Sequence, residues 1–359
     1  MRIAQISPLF ESVPPLRYGG TERVVHYLTE ELVNRGHEVV LFASGDSLTS
    51  AELFPCVPRA LRQAGYRGNP RVSEGRQLDQ VIGQLDRFDL LHFHTGLGLR
   101  PGLARLPVAQ LHTLHGPLTG PEVDRLHRDF DPVPLVSISE SQRAPHPGAH
   151  WLGTIPHGLP TDLYRFEPSP SEYLAFVGRI SPEKRLDRAI AIANAVGLPL
   201  KVAAKIDPVD LDYFHAAIEP LLHENPLVEF IGEVDDVGKQ ELLGNALALL
   251  FPIDWPEPFG LVMIEANACG TPVIAWRNGS TPEVIRPGRN GVLVETIEEA
   301  VMAVRGIEQL DRRRVRHEFE RRFTVARQAA DYERLFQRQI ETRRRPSPAR
   351  LLAACSHAA

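Results

Sequence analysis

Trp255-Pro256-Glu257-Pro258-Phe259-Gly260-Leu261-Val262-Met263-Ile264-Glu265-Ala266 is the stretch on which the reading of this chain turns. It breaks at two prolines and then opens a helix with a glycine. Gly260 has no Cβ, so a ligand can approach the backbone closely. The N–H groups of Phe259, Gly260 and Leu261 open a helix N-terminus, where phosphate is favoured. Glu257 stands just before that helix and Glu265 lies inside it. Their oxygens accept hydrogen bonds, which suits adjacent hydroxyls on a hexose and on a ribose. A phosphate cradle between two hydroxyl-binding carboxylates is what a nucleotide sugar needs. An isolated pair of glutamates at this spacing is more often a solvated helix residue beside a helix start, so the surroundings decide.

Outward from that stretch, short β-branched apolar runs alternate with amphipathic helical segments, the pattern of parallel α/β sheets. In the first half, strands are expected over 2–7, 38–43, 90–94, 108–111 and 135–139, with a helix over 21–35 stopped by Gly36. The second half repeats the plan, with strands over 174–178, 200–204, 228–231, 247–251, 273–275 and 291–294. The Pro-rich polar stretch over 156–171 reads as a linker. The expectation is an α/β chain of two Rossmann-like domains facing each other across a cleft. Ligands of such sheets sit beyond the carboxyl ends of the strands.

Composition agrees. The chain has 359 residues, enough for two cores, with 43% hydrophobic and 24% charged residues. A net charge of −5 argues against a nucleic-acid binder. Cys56, Cys269 and Cys355 have no metal-ligand spacing. The chain opens on a strand without a signal-peptide pattern and holds no apolar run long enough for a bilayer, so a cytoplasmic location is expected.

Three further segments carry chemistry. Gly178-Arg179-Ile180-Ser181-Pro182-Glu183-Lys184 follows an apolar strand and precedes a helix. Its two cations straddle the turn, where Arg can fork onto phosphate oxygens and Lys acts as a point charge. Tyr18-Gly19-Gly20-Thr21-Glu22 lies between a strand-plus-loop and a helix, a weak signal alone. His112-Thr113-Leu114-His115-Gly116 ends a strand, where His115 can donate a hydrogen bond or shuttle a proton. His92 and His94 also end a strand and raise the possibility of a metal cluster, but no D-x-H or H-E-x-x-H context accompanies them. The triplets Asp129-Phe-Asp131 and Asp210-Leu-Asp212 lack a preceding buried strand and read as chance.

The segment over 251–285 resembles the signature of the retaining glycosyltransferases of family four, of GT-B fold, whose E-x7-E motif stands here as Glu257 and Glu265. Gly178 to Lys184 is similar to their G-R-x-x-x-x-K motif. The resemblance implies a hexosyltransferase acting on a UDP- or GDP-hexose and an unknown hydroxyl acceptor. It implies that Arg179 and Lys184 contact the donor diphosphate, Glu257 the sugar hydroxyls and Glu265 the ribose. Phe259, Gly260 and Leu261 would add backbone N–H groups. Gly19 and Gly20 would line the cleft near the phosphates, with an acceptor-side loop over 8–17. His115 would touch the transferred sugar, and the backbone at Val234 would border the base. No metal or other cofactor is implied, since the cations take the metal's place. The final helix, expected over 325–342, would cross back to the N-terminal domain.

The implied organisation is an acceptor domain over 1–160, a donor domain over 161–325, a return helix over 326–343 and a disordered tail over 344–359. The arginines of that tail offer contact with an anionic membrane surface, although a solvated tail is the simpler reading. Two motifs depart from the family pattern: Ile155-Pro156-His157-Gly158 has His in place of Asn, and Pro252-Ile253-Asp254-Trp255 replaces the usual Ser-x-x-E approach. A nucleotide-sugar 2-epimerase of the same fold and a non-catalytic nucleotide-sugar binding protein are the alternatives. A glycoside hydrolase would leave the phosphate-binding cations idle.

Overall fold

The structure, a computed structural model, describes residues 1–16, 19–96, 103–119 and 133–344. Its first sheet takes strands β1 (Arg2–Ile6), β2 (Glu38–Ser44), β3 (Glu52–Val57), β4 (Leu90–Phe93), β5 (Ala109–Thr113), β6 (Leu135–Ser137) and β7 (Trp151–Thr154). They lie in the order β3-β2-β1-β4-β5-β6-β7. Every pairing in this sheet is parallel. The second sheet takes β8 (Leu174–Arg179), β9 (Leu200–Lys205), β10 (Val228–Gly232), β11 (Ala248–Phe251), β12 (Val273–Trp276) and β13 (Gly291–Val294). Its order is β10-β9-β8-β11-β12-β13, again parallel throughout.

Helices cover both faces of each sheet, as parallel sheets require. In the first half they are α1 (Gly20–Asn34), α2 (Pro70–Ile82) and the short α3 (Glu140–Arg143). The second half carries α4 (Leu186–Val196), an irregular helical stretch over 208–224, α5 (Asp236–Asn245), α6 (Leu261–Cys269), α7 (Thr281–Val284), α8 (Ile297–Arg305) and α9 (Arg312–Arg322). The last is α10 (Val325–Arg344). Each strand expected from the sequence is present. The two that were not expected, β3 and β7, are the outer edges of the first sheet. β3 carries Pro55 and is half-buried, and β7 is short with Gly153 inside it, so neither shows a continuous apolar run.

The chain crosses between the sheets over 155–173 and crosses back just before α10. The two crossings touch. Leu159 donates its N–H to Phe323 O at 2.9 Å, and Val325 donates to Leu159 O at 2.8 Å. Arg327 steadies the first crossing by donating to Pro156 O at 2.7 Å and His157 O at 3.0 Å. α10 then lays Tyr332 and Phe336, both fully buried, against Ile3, Leu28, Leu90 and Leu111 of the first-sheet core. Burying each such aromatic side chain contributes on the order of 2–3 kcal/mol. The arginine-rich residues after Arg344 lie outside the described residues.

Where the crossings meet, a Cβ on Gly158 would run into the Thr324 carbonyl and approach Val325 N to 2.8 Å. Both obstacles are backbone and cannot swing aside. Gly158→Ala is therefore expected to destabilise the protein by about 1–3 kcal/mol. A thermal melt checks this, and an unchanged Tm would show that the crossing has slack.

Candidate functional site

The carboxyl ends of the two sheets face a common cleft of about 490 Å³. From the first half, Gly19, Gly20 and Arg23 line it at the start of α1, His115 beyond β5, Ile138 beyond β6, and His157 on the crossing. From the second half come Arg179 at the end of β8 and Lys184 beyond it, Lys205 at the end of β9, Glu233 and Val234 beyond β10, and the segment from Trp255 into α6. Each residue singled out in the sequence as a candidate lines this cleft: Gly19, Gly20, His115, Arg179, Lys184, Val234, Glu257, Phe259, Gly260, Leu261 and Glu265.

The two cations are held by carboxylates. Lys184 Nζ forms an ion pair with Glu257 Oε2 and lies 5.0 Å from the centre of the Trp255 ring and 5.7 Å from that of Phe251. Trp255 Nε1 donates to the same Glu257 oxygen at 2.8 Å. Arg179 pairs with Glu183 at 2.8 Å and Asp210 at 3.2 Å. Asp210, read from the sequence as part of a chance triplet, thus faces one of the cations. The other triplet, Asp129 and Asp131, lies outside the described residues, as does Tyr18. Among the described residues no group of three or more His, Cys, Asp or Glu is arranged to hold a metal ion.

The loop carrying Glu257 is fixed from the far side, where Ser280 donates its N–H to Glu257 O at 2.9 Å and its hydroxyl to Phe259 O at 2.9 Å. α6 starts at Leu261, and no side chain caps it among the described residues. Its first N–H groups therefore remain at a cleft wall, where partial positive charge favours an anion. Gly260 is required for a reason other than ligand approach. Its φ is +80°, and a Cβ there would sit 2.7 Å from Met263 Cε and 3.1 Å from Phe251 Cζ.

His115 belongs to a layered group of rings. Its Nε2 lies 2.9 Å from His94 Nδ1, and its ring stacks on His157 at 5.3 Å between centroids. His157 in turn meets Phe259 edge to face at 4.8 Å. Burial pushes the His115 imidazole down to about 3, so it stays neutral near pH 7. A neutral ring can donate one hydrogen bond and accept another. His92 and His94, raised from the sequence as possible metal ligands, each face a protein partner. His92 Nε2 is 2.8 Å from Thr113 Oγ1, and His94 Nε2 is 2.7 Å from Gln5 Oε1.

Sequence reasoning missed the charges that hold the two halves of the cleft together. Arg23 pairs across it with Asp236 at 2.5 Å. Lys239 bridges Asp236 at 3.1 Å and Glu265 at 2.7 Å. The result is a chain of alternating sign, Arg23–Asp236–Lys239–Glu265, running from α1 to the buried carboxylate of α6. The only local hint was the spacing of Asp236 and Lys239, which puts both on one face of α5. A second tie is Glu283 on α7, whose carboxylate accepts from the N–H groups of Glu140 and Ser141 on α3, both at 2.8 Å. Chemically, the cleft offers cations and an open helix N-terminus for an anion, flanked by carboxylates for hydroxyl groups.

Known proteins share this architecture. Residues 18–197 match the family model described as Glycosyltransferase Family 4, and residues 165–324 match the one described as Glycosyl transferases group 1. The glycogen synthase of Mycobacterium tuberculosis is 26% identical over 346 residues, covering 81% of this chain and 82% of that protein. Among solved structures, AviGT4, a glycosyltransferase involved in avilamycin A biosynthesis, superposes with a TM-score of 0.72 at 25% identity, covering 95% of this chain and 98% of that one. The Anabaena protein HepE, solved in complex with UDP and glucose, superposes with a TM-score of 0.68 at 20% identity, covering 94% and 99%. The chain therefore belongs to Glycosyltransferase Family 4 and is a glycosyltransferase of GT-B fold.

Proposed function

We propose that this glycosyltransferase moves a hexosyl group from a nucleoside-diphosphate sugar, a UDP- or GDP-hexose, to a hydroxyl acceptor with retention at the anomeric carbon. One observation carries the reading. Arg179, Lys184 and the uncapped start of α6 share one cleft with Glu257 and Glu265, the cleft walls thus combining anion-binding and hydroxyl-binding groups. The complex of HepE with UDP and glucose supports a donor of this class.

In this account Arg179 and Lys184 bind the diphosphate and stabilise the charge that builds on it as the glycosidic bond breaks. The N–H groups at Phe259, Gly260 and Leu261 add to the same cradle. Glu265 takes the ribose hydroxyls, with Lys239 balancing its charge. Glu257 takes sugar hydroxyls through Oε1, its Oε2 being engaged by Lys184 and Trp255. Val234 borders the base, Gly19 and Gly20 the phosphates, and His115 the sugar. The acceptor oxygen bonds to the anomeric carbon on the face the phosphate leaves, and the departing phosphate oxygen takes the acceptor proton. With two cations and a helix N-terminus on the diphosphate, the reaction is proposed to need no metal.

The test is incubation with UDP-, GDP- and ADP-hexoses and a panel of hydroxyl acceptors. The expected result is acceptor-dependent release of the nucleoside diphosphate and a product whose anomeric proton coupling matches that of the donor. Donor consumed without acceptor and recovered as an epimer would overturn the proposal.

A further inference from the structure

The irregular helical stretch beyond β9 opens with one tight turn, Pro208–Asp210. Asp207 caps it, accepting from the Val209 N–H at 3.4 Å. The same carboxylate anchors the turn, pairing with Lys205 at 3.3 Å and lying 3.7 Å from Arg62 of the first half. Arg179 stands opposite Lys205 in the sheet register, so the turn leaves the sheet beside the cation that ends β8. There its second carboxylate, Asp210, faces Arg179.

Two carboxylates thus meet one guanidinium, and they meet it differently. Glu183 accepts a hydrogen bond from Arg179 Nη2 at 2.8 Å. Asp210 Oδ2 lies 3.2 Å from Arg179 Nε and is shielded from water, yet it makes no hydrogen bond among the described residues. A hydrogen bond fixes orientation and weakens steeply when misaligned, whereas attraction between charges has no angular requirement. Glu183 therefore sets where the guanidinium points, and Asp210 supplies charge without direction. The Asp210 side chain is 11% exposed, so little water screens that charge. A shielded oxygen without a hydrogen bond also regains one on moving out to water, which offsets part of the cost of leaving Arg179.

We propose that Asp210 is a built-in counter-ion for Arg179, which neutralises the guanidinium in the empty cleft, gives way when a nucleoside diphosphate binds, and returns as it leaves. The ligand named here rests on the nucleotide-sugar reading above; the competition for Arg179 rests on the ion pair alone. The two carboxylates then act on binding with opposite sign. Glu183 aims Arg179 at the ligand and favours it. Asp210 competes with the ligand and loosens the hold on the nucleoside diphosphate left after transfer.

Calorimetric titration with UDP, GDP and inorganic pyrophosphate reads both effects. Asp210→Asn keeps the shape of the side chain and removes its charge. It is expected to bind UDP or GDP about fivefold more tightly, the scale of one partly exposed ion pair. Glu183→Gln is expected to bind the same nucleotide about fivefold less tightly. A merely structural role for Asp210 would weaken binding in its variant and could not tighten it. The gain should vanish when Arg179→Ala is added, since the coupling runs through that residue. An Asp210→Asn protein that binds no more tightly than wild type overturns the proposal. So does a gain that survives Arg179→Ala, or one that Glu183→Gln matches. If the Asn variant fails to fold, Asp210→Ser takes its place with the same expected gain. A protein that binds no nucleotide but holds pyrophosphate more tightly as Asp210→Asn would overturn the proposed function and leave the counter-ion standing. If pyrophosphate gains nothing there either, both are overturned.

Discussion

Lys184→Ala is expected to lower kcat for glycosyl transfer by about 10²–10³-fold at saturating donor. The side chain sits between the Trp255 and Phe251 rings with only 17% of its surface exposed, so its charge acts through little water. Removing it does two things at once. In the proposed reaction the leaving diphosphate would lose a cation, and Glu257 would lose the Lys184 partner that neutralises it. Both effects grow as charge develops on the leaving group, so the loss belongs in kcat more than in KM. Lys184→Arg is expected to rescue poorly, because the planar guanidinium is wider than the ammonium the two rings accommodate. Steady-state kinetics of the two variants check this. A Lys184→Ala enzyme with near wild-type kcat would remove this residue from the proposed machinery.

Glu265→Ala is expected to act mainly on KM, lowering kcat/KM for donor by about 10²-fold. Its carboxylate would bind the ribose, a part of the donor that does not react, and such binding is shared by ground and transition states. The carboxylate is buried, 4% exposed, and held by Lys239 at 2.7 Å. Lys239 keeps Asp236 as a second partner at 3.1 Å, so the substitution does not strand a buried charge. The stability cost should therefore stay near 1–3 kcal/mol and leave a foldable enzyme. Donor titrations separate the two variants. Retention of wild-type kcat/KM by Glu265→Ala would sink the ribose assignment.

Much of this site was legible because its parts lie at strand ends with local punctuation. Gly178 to Lys184 follows a strand that is apolar in sequence and buried in the fold, and the Pro-Glu-Pro-Phe-Gly break announces the start of α6. The edge strands β3 and β7 were not legible, since edge positions tolerate Pro55, Gly153 and half-exposed side chains. The tertiary partners were equally hidden. Arg23 meets Asp236 only because the first sheet folds over the second, and Gln5 reads as one polar residue inside a strand until His94 is set beside it. His115 shows the same limit. Its place at a strand end was readable, but its neutrality depends on burial among rings that distant segments supply. Gly260 has a second requirement that no local pattern announces, since its left-handed backbone and the closeness of Met263 and Phe251 are features of packing.

In the proposed function this cleft binds a nucleoside-diphosphate sugar through Arg179 and Lys184. Thermal melting across a panel of nucleotide sugars tests it most directly, because ligand that binds only the folded state raises Tm by mass action. At about 100 times Kd the gain is about 2.7 kcal/mol. For folding units of 150–250 residues that is a rise of about 5–10 °C. Such a rise is expected with at least one UDP- or GDP-hexose, none with the free hexose, and its loss in the Arg179→Ala, Lys184→Ala double variant. A panel that leaves the wild-type Tm unmoved, or a rise that survives undiminished in the double variant, would contradict it.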